Sequence, residues 1–393
     1  MISPGPWLRL TAFAGAGATL LAVISGAAGL GAAHRVLAAL ALPPLVAVGV
    51  AAWIAHRRLV PASVTALTLF GVATVLTMHA AHVASAALAF AAALVSAAET
   101  CRGAPAPRAA WRDYVTLTKP RIMSLLLLTG LAGMFVGARG VPPAWRVVVT
   151  MVGLALACGG ASALNHVLDR DIDRLMGERT RARPVAAERV PASHALEFGL
   201  TLSAFSFVLL ASAVNVLTAT LALVGNLFYV LVYTRLLKRS TTQNIVIGGA
   251  AGAVPPLVGW AAATGNLTLP ALWLFLIVFF WTPPHFWALA LLLRENYAAA
   301  RIPMLPVVRG TRVTTLRIVL YSLVLVAITV APFLAGTLGV AYLAAALALG
   351  AVFVRLALRL RRETTPRRAA LLFHYSLLYL ALLFVAMAID VAV

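Results

Sequence analysis

Three oxygen-bearing side chains, Asn165, Asp169 and Asp173, recur every four residues at the end of an apolar run. On a helix that spacing places all three on one face, with Asp171 about 200° round from Asp169 and pointing elsewhere. Two carboxylates and an amide stacked this closely repel one another unless a cation lies between them. Oxygen donors of this kind suit Mg²⁺, which keeps several waters and bridges to phosphate oxygens. Arg179 and Arg183 follow directly, with guanidinium forks shaped for phosphate. The set points to a metal-bridged diphosphate. A solvated helix end, its acids simply paired with its arginines, is the plainer alternative. It is disfavoured because polar groups at membrane depth are costly and the chain carries only 11 acidic residues in 393.

One further acid stands apart. Between Glu197 and Glu363 the only carboxylate is Glu295, in Arg294-Glu295-Asn296-Tyr297, just past another apolar run. On the same side of a membrane as the first cluster, Glu295 would complete a second metal site against the same diphosphate.

The elements that position these residues are membrane helices. The chain is 62% hydrophobic and 11% charged, with a mean hydropathy of +0.98. Soluble domains carry about 25% charged residues, so a soluble enzyme, a disordered chain and a disulfide scaffold are all excluded. Only two cysteines exist, Cys101 and Cys158. At about 20 apolar residues per crossing, thirteen spans are expected. Four fall at 10–30, 34–55, 61–78 and 81–99. Nine follow at 122–139, 145–164, 194–214, 217–234, 243–262, 268–291, 315–334, 338–356 and 370–391. Residues 101–121, rich in proline and charge, read as a cytoplasmic linker between two membrane domains, 1–100 and 122–393. The formal charge is +20. It reflects loop orientation and not a nucleic-acid partner: with the N-terminus inside, only Arg35, Arg139 and Arg146 lie outside. The expected protein is all-α and polytopic, in the cell membrane, with its active-site loops cytoplasmic and its C-terminus outside.

Five segments then resemble a known family. They are Leu117-Thr118-Lys119-Pro120-Arg121; the run from Asn165 through Asp169, Asp171, Asp173, Met176, Arg179 and Thr180 to Arg183-Pro184; Tyr233-Thr234-Arg235 with Lys238-Arg239 and Thr242; Trp281-Thr282-Pro283-Pro284-His285-Phe286-Trp287; and Ile302-Pro303-Met304-Leu305-Pro306. Together they are similar to the protohaem IX farnesyltransferases (haem O synthases), within the UbiA-type intramembrane prenyltransferases. The likeness covers about 113–391. It implies a nine-helix bundle that binds Mg²⁺ and farnesyl diphosphate on the Asn165/Asp169/Asp173 face and uses haem b as acceptor. Arg179, Arg183, Lys238 and Arg239 match the family's basic positions and are implied diphosphate contacts. His285 and His166 are implied candidates for contacting haem or moving a proton. The family's second motif usually reads Asp-Asp-Tyr, where this chain has Glu295-Asn296-Tyr297; a weakened second metal site is expected. The rival readings are another prenyl acceptor, such as a quinone precursor or a different tetrapyrrole, and a transporter of anionic substrates. The transporter would need a polar path through the bilayer, whereas these charges collect on one side.

The first hundred residues carry a separate, shorter likeness. Gly29-xx-Ala32-Ala33-His34-Arg35, Gly71-xx-Thr74-Val75-Leu76-Thr77 and His82-xx-Ser85 resemble one four-helix half of a haem A synthase. That implies two facing imidazoles, His34 and His82, as axial ligands of one haem b, with Arg35 near a propionate. An accessory domain with merely interfacial histidines is the alternative. Haem A synthase or oxidase assembly factors are the implied partners.

Overall fold

The computed structural model describes residues 6–27, 41, 44–48, 66 and 110–393, and among them the secondary structure is helical, without a strand. Helix α1 (Pro6–Ala27) overlaps residues 10–27 of the first expected N-terminal span. The expected spans at 34–55, 61–78 and 81–99, His34, His82 and residues 101–109 of the linker lie outside the described residues, apart from isolated positions. Residues 110–121 of the linker are described. A seven-residue helix, α2 (Trp111–Leu117), precedes α3.

Nine of the described helices are long and apolar enough to cross a membrane, which makes this a multi-pass membrane protein. They are α3 (Pro120–Ala138), α4 (Ala144–Leu168), α7 (Ala192–Ala213), α8 (Val216–Ser240), α9 (Asn244–Thr264), α10 (Leu269–Leu292), α13 (Gly310–Leu334), α14 (Val340–Arg362) and α15 (Pro366–Ala392). Each falls on an expected span. Four short helices connect them at one end: α5 (Arg170–Leu175), α6 (Glu178–Arg181), α11 (Arg294–Ala299) and α12 (Leu305–Val308).

The spanning helices close into a ring. Following the contacts, α3 packs on α4, then come α7, α8, α9, α10, α13, α14 and α15, and α15 returns to α3. Cross-contacts tie the ring together, among them α3 with α9, α10 with α15 and α4 with α8. The first depends on glycine. A Cβ on Gly259 would stand 1.8 Å from the Gly130 carbonyl oxygen, so the two backbones meet where no side chain fits. The aromatic core lies on the other half, where Trp287, Tyr342, Phe353, Tyr379 and Phe384 are fully enclosed. Its polar tips are partly bonded inside the protein, as where the Tyr342 hydroxyl donates to the Thr329 carbonyl at 2.8 Å.

Helix α8 departs from expectation. The sequence places a loop at 235–242, yet the helix runs on to Ser240 through a π-helical stretch, Phe228–Leu237. Within it the Thr234 hydroxyl donates five residues back to the Tyr229 carbonyl at 2.9 Å. Such stretches re-aim side chains and are frequent at functional sites. Here α8 runs beside α4 in a constant register. Asn226 donates to the Ala157 carbonyl, Asn165 to the Thr234 hydroxyl and Lys238 to Asp169, each pair 69 residues apart.

Candidate active site

Helix α4 ends at Leu168, and the chain passes through Asp169 into α5 with little change of direction. The Asp169 amide donates to the Asn165 carbonyl and the Asp173 amide to the Asp169 carbonyl, as in a continuous helix. Asn165, Asp169 and Asp173 are therefore stacked on one inward face, at 3%, 1% and 0% exposure. The Asp171 side chain, at 59%, points outward. The helical-face expectation and the structure agree at all four positions.

Each buried carboxylate keeps one oxygen for a basic partner. Asp169 Oδ2 accepts from Lys238 Nζ at 2.5 Å and from Asn165 Nδ2 at 2.7 Å. Asp173 Oδ1 accepts from an Arg183 guanidinium nitrogen at 2.6 Å. The other oxygens, Asp169 Oδ1 and Asp173 Oδ2, are buried without any partner. A buried carboxylate oxygen left unpaired is expensive, and here two of them belong to stacked side chains one helical turn apart. That is the donor set a divalent cation fits. No group of three or more His, Cys, Asp or Glu gathers among the described residues. A cation held here would complete its shell with water and phosphate oxygens, as Mg²⁺ does.

Lys119, a residue of the Leu117–Arg121 motif that no spacing marks as functional, is the third cation of the cluster. Its Nζ donates to Asn165 Oδ1 at 2.8 Å. Burial, with Arg183 the next influence, pushes its ammonium down to about 7. Its backbone is left-handed, φ 51° and ψ 60°, directly before Pro120. A residue preceding proline is normally extended, and a conformation of this kind costs about 1–3 kcal/mol and persists only where the surroundings impose it. They do: Leu117 is fully buried against Ala163, Val185, Val190 and Ala195, and its carbonyl accepts from the Ser162 hydroxyl at 2.6 Å. Burial also pushes the Asp173 carboxyl up, against the pull of Arg183.

The remaining expected contacts divide. Arg239 grips Asp171 with both guanidinium nitrogens at 2.7 Å and also donates to the Leu168 carbonyl at 2.7 Å. It pulls the Asp171 carboxyl down to about 2 and braces α8 against the end of α4, with no bond to the inward face. Arg179 is exposed on α6 and makes no ion pair with the cluster. Glu295 is exposed on α11, while Asn296 donates to the Met176 carbonyl at 2.6 Å. Glu295 and Asn296 thus make no bond to the carboxylate face in this structure: the acid is exposed, and the amide nitrogen is used in pinning the loop after α5. A Cβ at Gly177, where φ is 103°, would strike that same amide. Tyr297 is the member of the motif that turns inward, within electrostatic reach of Arg183 and Asp169, and burial pushes its hydroxyl up.

His166 lies beside the carboxylate face, 2% exposed, with both ring nitrogens unpartnered. His285 sits elsewhere, in the span. Its ring is stacked between Trp281 at 4.4 Å and Phe373 at 4.8 Å. Its Nδ1 meets the Ser376 hydroxyl at 2.7 Å, and that hydroxyl donates to the Phe373 carbonyl at 2.6 Å.

Comparison with known proteins bears on this arrangement. The family model described as the UbiA prenyltransferase family matches residues 126–384. A protein of Symbiobacterium thermophilum named protoheme IX farnesyltransferase is 55% identical over 282 residues, 71% of this chain and 94% of that one. Proteins of the same name from Roseiflexus sp. and Thermus thermophilus are 53% and 52% identical over similar stretches, but the match spans only 52% and 47% of their lengths. Among solved structures, one described as digeranylgeranylglyceryl phosphate synthase superposes with a TM-score of 0.60 at 16% identity, covering 71% of this chain and 98% of that one. A UbiA homolog from Archaeoglobus fulgidus bound to GPP and Mg²⁺ superposes with a TM-score of 0.53 at 17% identity, covering 70% and 99%. These two show the fold. The family model and the relatives above 50% identity place the chain in the UbiA prenyltransferase family, among the protohaem IX farnesyltransferases.

Proposed function

We propose that this protein transfers a farnesyl group from farnesyl diphosphate to a vinyl group of haem b, giving haem O for a terminal oxidase. The observation that carries the chemistry is the pair of buried, unpartnered oxygens, Asp169 Oδ1 and Asp173 Oδ2, ringed by Lys119, Lys238 and Arg183. The acceptor and the prenyl length are supported by relatives above 50% identity named for that reaction.

Mg²⁺, when bound by Asp169, Asp173 and Asn165, would supply positive charge to the departing diphosphate. The chain's own contribution is orientation and charge. Lys238 and Arg183, each bonded to one oxygen of a site carboxylate, supply the positive charge that stabilises the leaving group as the farnesyl C1–O bond breaks. Both electrons of that bond leave with the diphosphate. The vinyl π pair of haem b forms the new carbon–carbon bond to the allylic cation. The cation left on the vinyl carbon takes the oxygen of water, which loses a proton, and a hydroxyethylfarnesyl group results. Tyr297 and the buried His166 border the site and exclude bulk water from the allylic cation. His285 is proposed as a haem contact, Arg179 and Arg239 as outer diphosphate contacts after rearrangement, and Glu295 and Asn296 as a weak second cation position.

The same reading orients the bundle with the short helices and the basic residues in the cytoplasm, in the cell membrane, with the C-terminus outside. On sequence alone, residues 1–100 are proposed to form a haem A synthase-like four-helix half. There His34 and His82 would hold a haem b, and a haem A synthase or an oxidase assembly factor would be the partner.

Expression in a bacterial host lacking haem O synthesis tests the proposal. Extracted pigment should contain a more hydrophobic haem carrying the hydroxyethylfarnesyl group. Unchanged haem b from cells holding the inserted protein would reject the acceptor.

A further inference from the structure

Asn165 has one acceptor oxygen, and Lys119 already holds it. The amide nitrogen is committed as well, to Asp169 Oδ2 at 2.7 Å and to the Thr234 hydroxyl at 3.1 Å. If Asn165 joins Asp169 and Asp173 around a cation, the metal and the ammonium would share one oxygen at close range, and their mutual repulsion drives the lysine toward another partner. We propose that Lys119 is an exchangeable internal cation, bonded to Asn165 Oδ1 until cation and diphosphate enter together and then passing to the diphosphate. This rests on the reading of Asp169 and Asp173 as a cation site.

The local architecture suits a side chain that moves on a backbone that does not. Lys119 is clamped on both sides. Leu117 is buried and bonded through its carbonyl to Ser162, Thr118 packs on Gly159, and Pro120 starts the spanning helix α3. The left-handed backbone at Lys119 sets where its side chain leaves the chain. The four-carbon stem then carries a compact ammonium with three donors, well suited to change acceptors by rotation alone.

Charge gives the exchange its direction. Two carboxylates, Asp169 and Asp173, face three cations, Lys119, Lys238 and Arg183, which leaves one positive charge in excess when all are ionised. A divalent cation alone raises the excess to three in a buried, weakly screened site. A diphosphate trianion arriving with it brings the sum to zero. Metal alone is therefore disfavoured, and the two ligands strengthen each other, as linkage requires. Without Lys119 the sums become zero, two positive and one negative. Removing the lysine is expected to favour metal alone while reducing the gain that diphosphate confers. A lysine that only tethered Asn165 in place would do the opposite on the first count.

The test uses the full chain in lipid nanodiscs, with Mn²⁺ as the metal probe and inorganic pyrophosphate as the anion. Bound Mn²⁺ is read by equilibrium filtration, corrected for Mn²⁺–pyrophosphate in solution. Pyrophosphate should tighten Mn²⁺ binding by about tenfold or more in the wild type and by less than about threefold in Lys119→Met. Mn²⁺ alone should bind the variant several-fold more tightly. Lys119→Arg should restore most of the pyrophosphate gain. An unchanged gain in Lys119→Met, or weaker binding of Mn²⁺ alone, overturns the exchange. Lys119→Gln serves in the same way should the methionine variant not fold. Asp173→Asn separates the two ideas: if it leaves Mn²⁺ binding intact, the cation site itself is wrong, whatever Lys119 does.

Discussion

Asp169, Asp171 and Asp173 lie within five residues of one another, and their surroundings give them different work. Asp169 and Asp173 are buried with one oxygen each unpartnered, whereas Asp171 is exposed and held by Arg239. Asp169→Asn and Asp173→Asn should each lower farnesyl transfer by about a hundredfold or more, the usual loss when one preorganised charge partner of a leaving group is removed. Asp171→Ala should keep most of the activity, since an exposed ion pair is worth only about 0–1 kcal/mol. Steady-state turnover of the three purified variants checks this, and equal losses would contradict the distinction. The difference was legible in the sequence because helical periodicity is a local property, and i, i+4, i+8 declares a face wherever the helix goes. Lys119 was not legible in the same way. Its partner lies 46 residues away, and its left-handed backbone before a proline runs against local preference. The role of Glu295 was less legible, because a lone acid near a span end says nothing of which way it faces.

Among the elements, the nine spans were readable because each buries an apolar run of the length a bilayer demands. The π-helical stretch of α8 was not, since no composition signals a change from i+4 to i+5 bonding. Yet that stretch carries Thr234 and ends where Lys238 begins, and the constant offset of 69 residues between α4 and α8 brings both to the carboxylate face. The close crossing of α3 and α9 is a second feature hidden in the sequence, where Gly130 and Gly259 are only two of 28 glycines. Gly259→Val should force these helices apart and destabilise the bundle by about 1–3 kcal/mol. Thermal unfolding in detergent reads this as a lower midpoint. An unchanged midpoint would mean that the backbones do not meet there.

At the scale of the whole molecule, a closed ring of helices carries its charged chemistry at one end and an aromatic core in the other half. If residues 1–100 form a separate haem-binding half, its function should be separable from the prenyl site. His34→Ala or His82→Ala in the full chain should remove a low-spin haem spectrum while leaving farnesyl transfer intact. Transfer that fell with the spectrum would join the two. The most direct test of the whole reading is made on the purified full chain supplied with haem b and farnesyl diphosphate, with products identified by mass. Haem O should form with Mg²⁺ present, stop when the metal is chelated and resume when it is restored, and Asp169→Asn should form almost none. Haem O produced at the same rate without a divalent cation, or no farnesylated haem from a folded chain with Mg²⁺, would contradict it.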